Sequence, residues 1–79
     1  MKREVGDILQ HIYDSEINIR IDWQWDAGVD WSITSGYDGC VCEARGTTDT
    51  VENAVRELAN TACCIYPGSQ FHNWYCGGE

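Results

Sequence analysis

Lysine and arginine are scarce in this chain. They number 5 against 13 aspartates and glutamates in 79 residues, giving a formal net charge of −8 at pH 7 and a pI near 4.4. Direct binding to nucleic acid or to an anionic membrane needs cations that neutralise phosphate and displace counterions, so this balance argues against both. A protein partner, if the chain has one, is expected to be basic. Long apolar runs are also missing: none approaches the roughly 18–20 residues that span a bilayer. The stretch Met1-Lys2-Arg3-Glu4-Val5-Gly6-Asp7 lacks the apolar segment of a signal peptide. The expectation is a soluble protein of the cytoplasm.

There is no linker, low-complexity segment or internal repeat. A chain of this length buries only roughly 60–65% of its unfolded surface, which allows one thin core over residues 1–79 and no deep cofactor cleft. No cofactor is expected. With 43% hydrophobic residues and four tryptophans the chain is too apolar for a disordered acidic tail. It should fold.

Catalytic signatures are sparse. The two histidines, His11 and His72, accompany no Ser or Cys at a recognisable nucleophile turn and no Gly-rich phosphate loop. Pairs such as Asp22 and Asp26 could serve glycoside hydrolysis or hold Mg²⁺, but an open sheet face offers no cleft to raise a pKa or exclude water. The protein is therefore not expected to be an enzyme. The five cysteines, Cys40, Cys42, Cys63, Cys64 and Cys76, are odd in number and do not suit a closed disulfide framework. They also fit zinc poorly, because Cys40 and Cys42 take alternate positions of a strand while Cys63 and Cys64 diverge on a helix. Buried or exposed thiols are expected, and no metal site.

What is present is patterning. Val5, Ile8, Leu9, Ile12 and Tyr13 recur at helical spacing and predict a first helix from about residue 3 to 15. From Ile17 to Asp26 the chain alternates strictly, with Ile17, Ile19, Ile21, Trp23 and Trp25 on one face and Asn18, Arg20, Asp22, Gln24 and Asp26 on the other. After Ala27-Gly28 the alternation resumes with Val29, Trp31 and Ile33 against Asp30, Ser32 and Thr34, which makes a hairpin. Gly36, Asp38 and Gly39 mark a second turn around Tyr37, followed by an edge strand over residues 40–44. Asp49 with Glu52 reads as a capping box for a second helix carrying Val51, Ala54, Val55, Leu58, Ala62 and Ile65, stopped by Pro67-Gly68. Residues 69–79, with Phe71, Trp74 and Tyr75, read as a tail that packs by its aromatics or extends a strand.

The order predicts an α+β, two-layer sandwich: a three-stranded antiparallel sheet with two helices on one face, α-β-β-β-α. Trp23, Trp25 and Trp31 belong on the helix-covered face. Two short helices offer little cover for three indoles and four isoleucines, and any uncovered part would suit a homodimer or a partner protein. The opposite face carries Asp22, Asp26 and Asp30 with Gln24, and Glu43 joins them if Cys40, Cys42 and Ala44 point inward. Same-face residues lie roughly 6.6–6.8 Å apart along a strand and neighbouring strands roughly 4.8 Å apart, so such a face can display carboxylates at separations comparable with successive phosphates. These five residues are the candidate partner-binding site. The plain alternative is that the carboxylates only solvate an exposed sheet, with Arg20 pairing a neighbour among them.

The stretch Ile12-Tyr13-Asp14-Ser15-Glu16-Ile17-Asn18, then Trp23-Gln24-Trp25-Asp26-Ala27-Gly28-Val29-Asp30, and later Tyr66-Pro67-Gly68-Ser69, resembles small acidic proteins encoded by phages and prophages of proteobacteria. In size, acidity and compact α/β pattern the chain is similar to the type I anti-CRISPR inhibitors among them. The resemblance covers most of residues 12–69 and contains no catalytic motif. Anti-CRISPR proteins are diverse in fold and mechanism, so it assigns no residue roles. It implies an inhibitor that binds the Cascade surveillance complex on a basic surface used for target DNA and prevents DNA engagement. The alternative is a small structural or adaptor protein of a phage or prophage whose exposed aromatics make the contact.

Overall fold

The computed structural model describes residues 4–36, 39 and 41–77. Three helices and three strands follow in the order α1 (Val5–Asp14), β1 (Asn18–Gln24), β2 (Gly28–Ser35), β3 (Val41–Thr48), α2 (Val51–Ile65) and α3 (Gln70–Gly77). The strands form one antiparallel sheet with β2 in the middle. The expected α-β-β-β-α sandwich is present, with a third helix added at its end. Residue 3 at the start of the first helix, Tyr37 and Asp38 of the second turn, Cys40 of the third strand, and residues 78–79 of the tail lie outside the described residues.

The apolar stripe of α1 is narrower than its composition suggests. Ile8 and Ile12 are buried and Val5 and Leu9 pack beside them, but Tyr13 is 78% exposed, because a helix turns about 100° between residue 12 and residue 13. The helix closes with paired bonds from Glu16 N–H to the Tyr13 carbonyl and from Ile17 N–H to the Ile12 carbonyl. This closure puts Glu16 at φ 62, a left-handed position that glycine usually fills.

β1 and β2 pair through Ile21 opposite Trp31 and Asp22 opposite Asp30, as the alternation requires. β3 is longer than the sequence suggests, running past Ala44 through Arg45, Gly46 and Thr47 to Thr48. A bulge interrupts its pairing: Ile33 faces Ala44 while Thr34 faces Cys42, which leaves Glu43 as the extra residue. Cys42 is consequently exposed rather than inward, whereas Ala44 remains half-buried.

α2 lies across β2 and β3, and α1 and α3 pack against α2. Its contact face is built from Ala54, Val55, Leu58, Ala59, Ala62 and Cys63, and the alanines let the helix approach the sheet closely. The helix starts one residue later than the capping-box spacing predicts. Thr50 is the N-cap and accepts the Asn53 backbone N–H at 3.1 Å, while Asp49 accepts the Asn53 side-chain amide at 3.0 Å. Val51, expected in the apolar stripe, is exposed at this first turn.

The tail reading is corrected over residues 70–77, which form α3. Ser69 accepts the His72 N–H at 3.0 Å and so caps the helix, and Phe71, Trp74 and Tyr75 recur at helical spacing. The aromatics do pack inward. Phe71 is fully buried, Tyr75 stacks on it at 5.4 Å, and Trp74 stacks on His11 of α1 at 3.8 Å.

Candidate interaction surface

Trp31 is the only one of the three hairpin tryptophans that the helices cover. It is 5% exposed, and its indole N–H donates to the Glu57 carboxylate of α2 at 3.1 Å. Trp23 is 60% exposed and Trp25 92%, so their expected place in the core is overturned. The reason is geometrical: α2 packs on β2 and β3, and β1, at the sheet edge, lies outside its main contact. Trp25 also lies past the end of β1, in the turn, where strand parity no longer decides its direction. With Val51 and Asp49, the two indoles border one shallow depression between the hairpin turn and the start of α2.

The carboxylates gather at the same end. Asp22 and Asp30 are direct cross-strand neighbours, and both are exposed. Asp30 accepts the Thr47 hydroxyl at 2.8 Å, which fixes its orientation from β3. Asp22 takes the Arg20 guanidinium at 3.2 Å. Asp26 is exposed in the turn, and Gln24, the last residue of β1, is exposed opposite Gly28. Gly28 supplies the positive φ, 95°, at which β2 begins. Asp49 adds a further carboxylate. Hydrogen bonds from the Asn53 amide first, then from its own backbone N–H and the Thr48 hydroxyl, hold its carboxyl below the ordinary value of 3.8.

Glu43 is the expected site residue that the fold sets apart. It sits in the β3 bulge, near the opposite end of the sheet, where the Ser35 hydroxyl donates to its carboxylate. The face between is not uniformly acidic. Arg20, Ser32 and Arg45 form one cross-strand row, and Asp22, Asp30 and Thr47 form the next. Arg45 escaped the sequence reading because β3 was expected to end at Ala44. Negative charge and exposed indole therefore share the hairpin end, with Asp22 and Asp30 on one face of the sheet and Trp23 on the other.

The four described thiols are spread over three elements: Cys42 exposed on β3, Cys63 buried and Cys64 exposed on α2, and Cys76 exposed on α3. Burial, reinforced by contact with the Cys76 thiol, pushes the Cys63 thiol up to about 12. Among the described residues no group of three or more His, Cys, Asp or Glu side chains is placed to hold a metal ion. Of the histidines, His11 is engaged with Trp74 and His72 lies on α3 with a buried Nδ1. Among the described residues no helix is long and apolar enough to cross a membrane. Comparison of the chain with protein-family models, with curated proteins and with solved structures finds no match.

Proposed function

We propose that this chain is a binding protein, not an enzyme, and that the hairpin end is its contact surface for a basic protein that handles nucleic acid. The observation that carries the reading is the exposure of Trp25 and Trp23 at the end of the sheet where Asp22, Asp26 and Asp30 are also exposed. Tryptophan is among the residues that most often dominate interface energetics, and an indole held out in water gains its full apolar burial on binding. Carboxylates at the same end of the sheet select a cationic partner and steer its approach. Gln24 supplies a neutral donor and acceptor in the same patch, and a partner spanning the sheet would reach Glu43 as well.

The resemblance to type I anti-CRISPR proteins makes Cascade in the host cytoplasm the partner to test first, with exclusion of target DNA as the consequence. Purified Cascade is titrated with DNA in the presence of wild-type protein, of the Asp22→Asn, Asp26→Asn, Asp30→Asn triple variant, and of Trp25→Ala. The wild type is expected to block DNA binding, and the triple variant to lose a few kcal/mol of affinity, roughly 10²-fold or more. Equal inhibition by wild type and triple variant discards the carboxylate contact. No inhibition by any of them discards Cascade as the target.

A second reading, a phage adaptor that binds through its aromatics alone, is favoured by the depth of exposure of Trp25. The two readings separate on salt: carboxylate-led binding weakens steeply as ionic strength rises, whereas binding led by the indoles does not.

A further inference from the structure

The two edges of the sheet are not alike. β3 is broken by the bulge at Glu43, a feature that discourages another strand from pairing there. β1 pairs with β2 in unbroken register over all seven of its residues, and it carries no proline, lysine or bulge. Its helix-side residues are all apolar: Ile19 and Ile21 are half-buried and Trp23 is exposed. An edge of this kind is a template for a further strand.

The sequence of β1 identifies that strand. Read outward from Ile21, the residues match in chemistry on either side: Arg20 and Asp22 are opposite charges, Ile19 and Trp23 are apolar, and Asn18 and Gln24 are both amides. We propose that β1 pairs antiparallel with β1 of a second copy about a two-fold axis at Ile21, joining two sheets into one of six strands. In that register Arg20 faces Asp22 of the other copy twice, once on each side of the axis. Ile19 faces Trp23, Asn18 faces Gln24, and Ile21 faces itself. A two-fold interface requires this reciprocity, since each contact i to j must recur as j to i. A slip by one residue would turn apolar residues toward the polar face, and a slip by two would set Asp22 against Asp22.

The pairing accounts for the exposure of Trp23, which would lie against Ile19 of the other copy. The proposal does not rest on the partner reading above: the pairing takes up Trp23, Asp22 and Gln24, and leaves Trp25 and Asp26, which lie past the strand, open to a partner.

Arg20 and Asp22 are both exposed, so charge changes there can be made without disturbing the core. Sedimentation equilibrium is measured for the wild type, for Arg20→Asp and for Asp22→Arg, at concentrations up to about 1 mM, where even weak self-association is populated. The wild type is expected to dimerise. Either single variant sets like charges opposite each other at both pairs and should raise the dimer dissociation constant roughly tenfold or more. An equimolar mixture of the two single variants sets opposite charges at both pairs again, so it should recover the dimer as a heterodimer. The double variant carrying both changes in one chain should dimerise as the wild type does, and it serves if a single variant fails to fold. A monomeric wild type overturns the proposal. So does undiminished self-association of a folded single variant, or failure of both the mixture and the double variant to associate.

Discussion

The indole N–H of Trp31 donates to the carboxylate of Glu57 across the boundary between sheet and helix. Beneath the same ring lies Gly46 of β3, its cross-strand partner, where an added Cβ would sit 2.7 Å from Trp31 Cζ2. The ring is thus held from α2 by a hydrogen bond and from β3 by the absence of a side chain. Gly46→Ala should destabilise the fold by about 1–3 kcal/mol through overpacking. Glu57→Ala should cost about 1–2 kcal/mol by leaving the N–H without its acceptor, and Glu57→Gln should recover most of it. Urea denaturation of the three variants checks both statements.

Glu16 occupies the left-handed position that ends α1. A residue with a Cβ pays about 1 kcal/mol there relative to glycine. Glu16→Gly should therefore stabilise the protein by roughly that amount, against the usual direction of glycine substitutions, with the melting temperature as the readout.

Thr50, not Asp49, caps α2, and the two residues are expected to respond differently to substitution. Thr50→Ala should cost about 1 kcal/mol at any pH at which the protein is folded. The contribution of Asp49 depends on charge. Its folded carboxyl titrates below the ordinary value of 3.8, so its stabilisation is present above that value and is lost as the pH falls through the lower folded one. Comparing wild type with Asp49→Asn at neutral and at acid pH should show a difference that disappears in acid.

α3 belongs to the core, because Phe71 is fully buried against it. Phe71→Ala should cost about 3–5 kcal/mol, comparable with any large-to-small change in the sheet. Unfolding monitored by the indole fluorescence and by far-ultraviolet circular dichroism should remain a single transition if α3 melts with the rest.

Cys63 should be the slow thiol. Its folded pKa, about 12, lies above the ordinary value of 9.0, so the neutral form is favoured by folding. The sign follows: this contribution is complete below about pH 9 and is lost as the pH rises toward 12. Alkylation followed by mass spectrometry should modify Cys42, Cys64 and Cys76 well before Cys63, and the wild type should lose stability above pH 9 faster than Cys63→Ala does.

The sequence by itself determined the order of the main elements, the hairpin register and the outward direction of Asp22 and Asp30. Each rests on local periodicity: the period of two from Ile17 onward, and the apolar spacing of Ile8, Ile12, Val55 and Leu58. The helix at 70–77 is legible too, in Ser69 as a cap and in the spacing of Phe71, Trp74 and Tyr75, but three aromatics after Pro67-Gly68 suit a packed tail equally well. Only the tertiary structure decided which apolar residues the helices cover. Trp23, Trp25 and Trp31 share one parity, yet a single indole is buried. Strand periodicity assigns a side chain to a face, whereas burial depends on where α2 lies across the sheet. The same holds for the charges. Alternation puts Asp22 and Arg20 on one face, but the length of β3 brings in Arg45, and the pairing of β3 sets Glu43 at the far end, in a bulge. The indoles at the hairpin end are exposed because β1 lies at the sheet edge, outside the main contact of α2, a consequence of packing that no window of sequence contains.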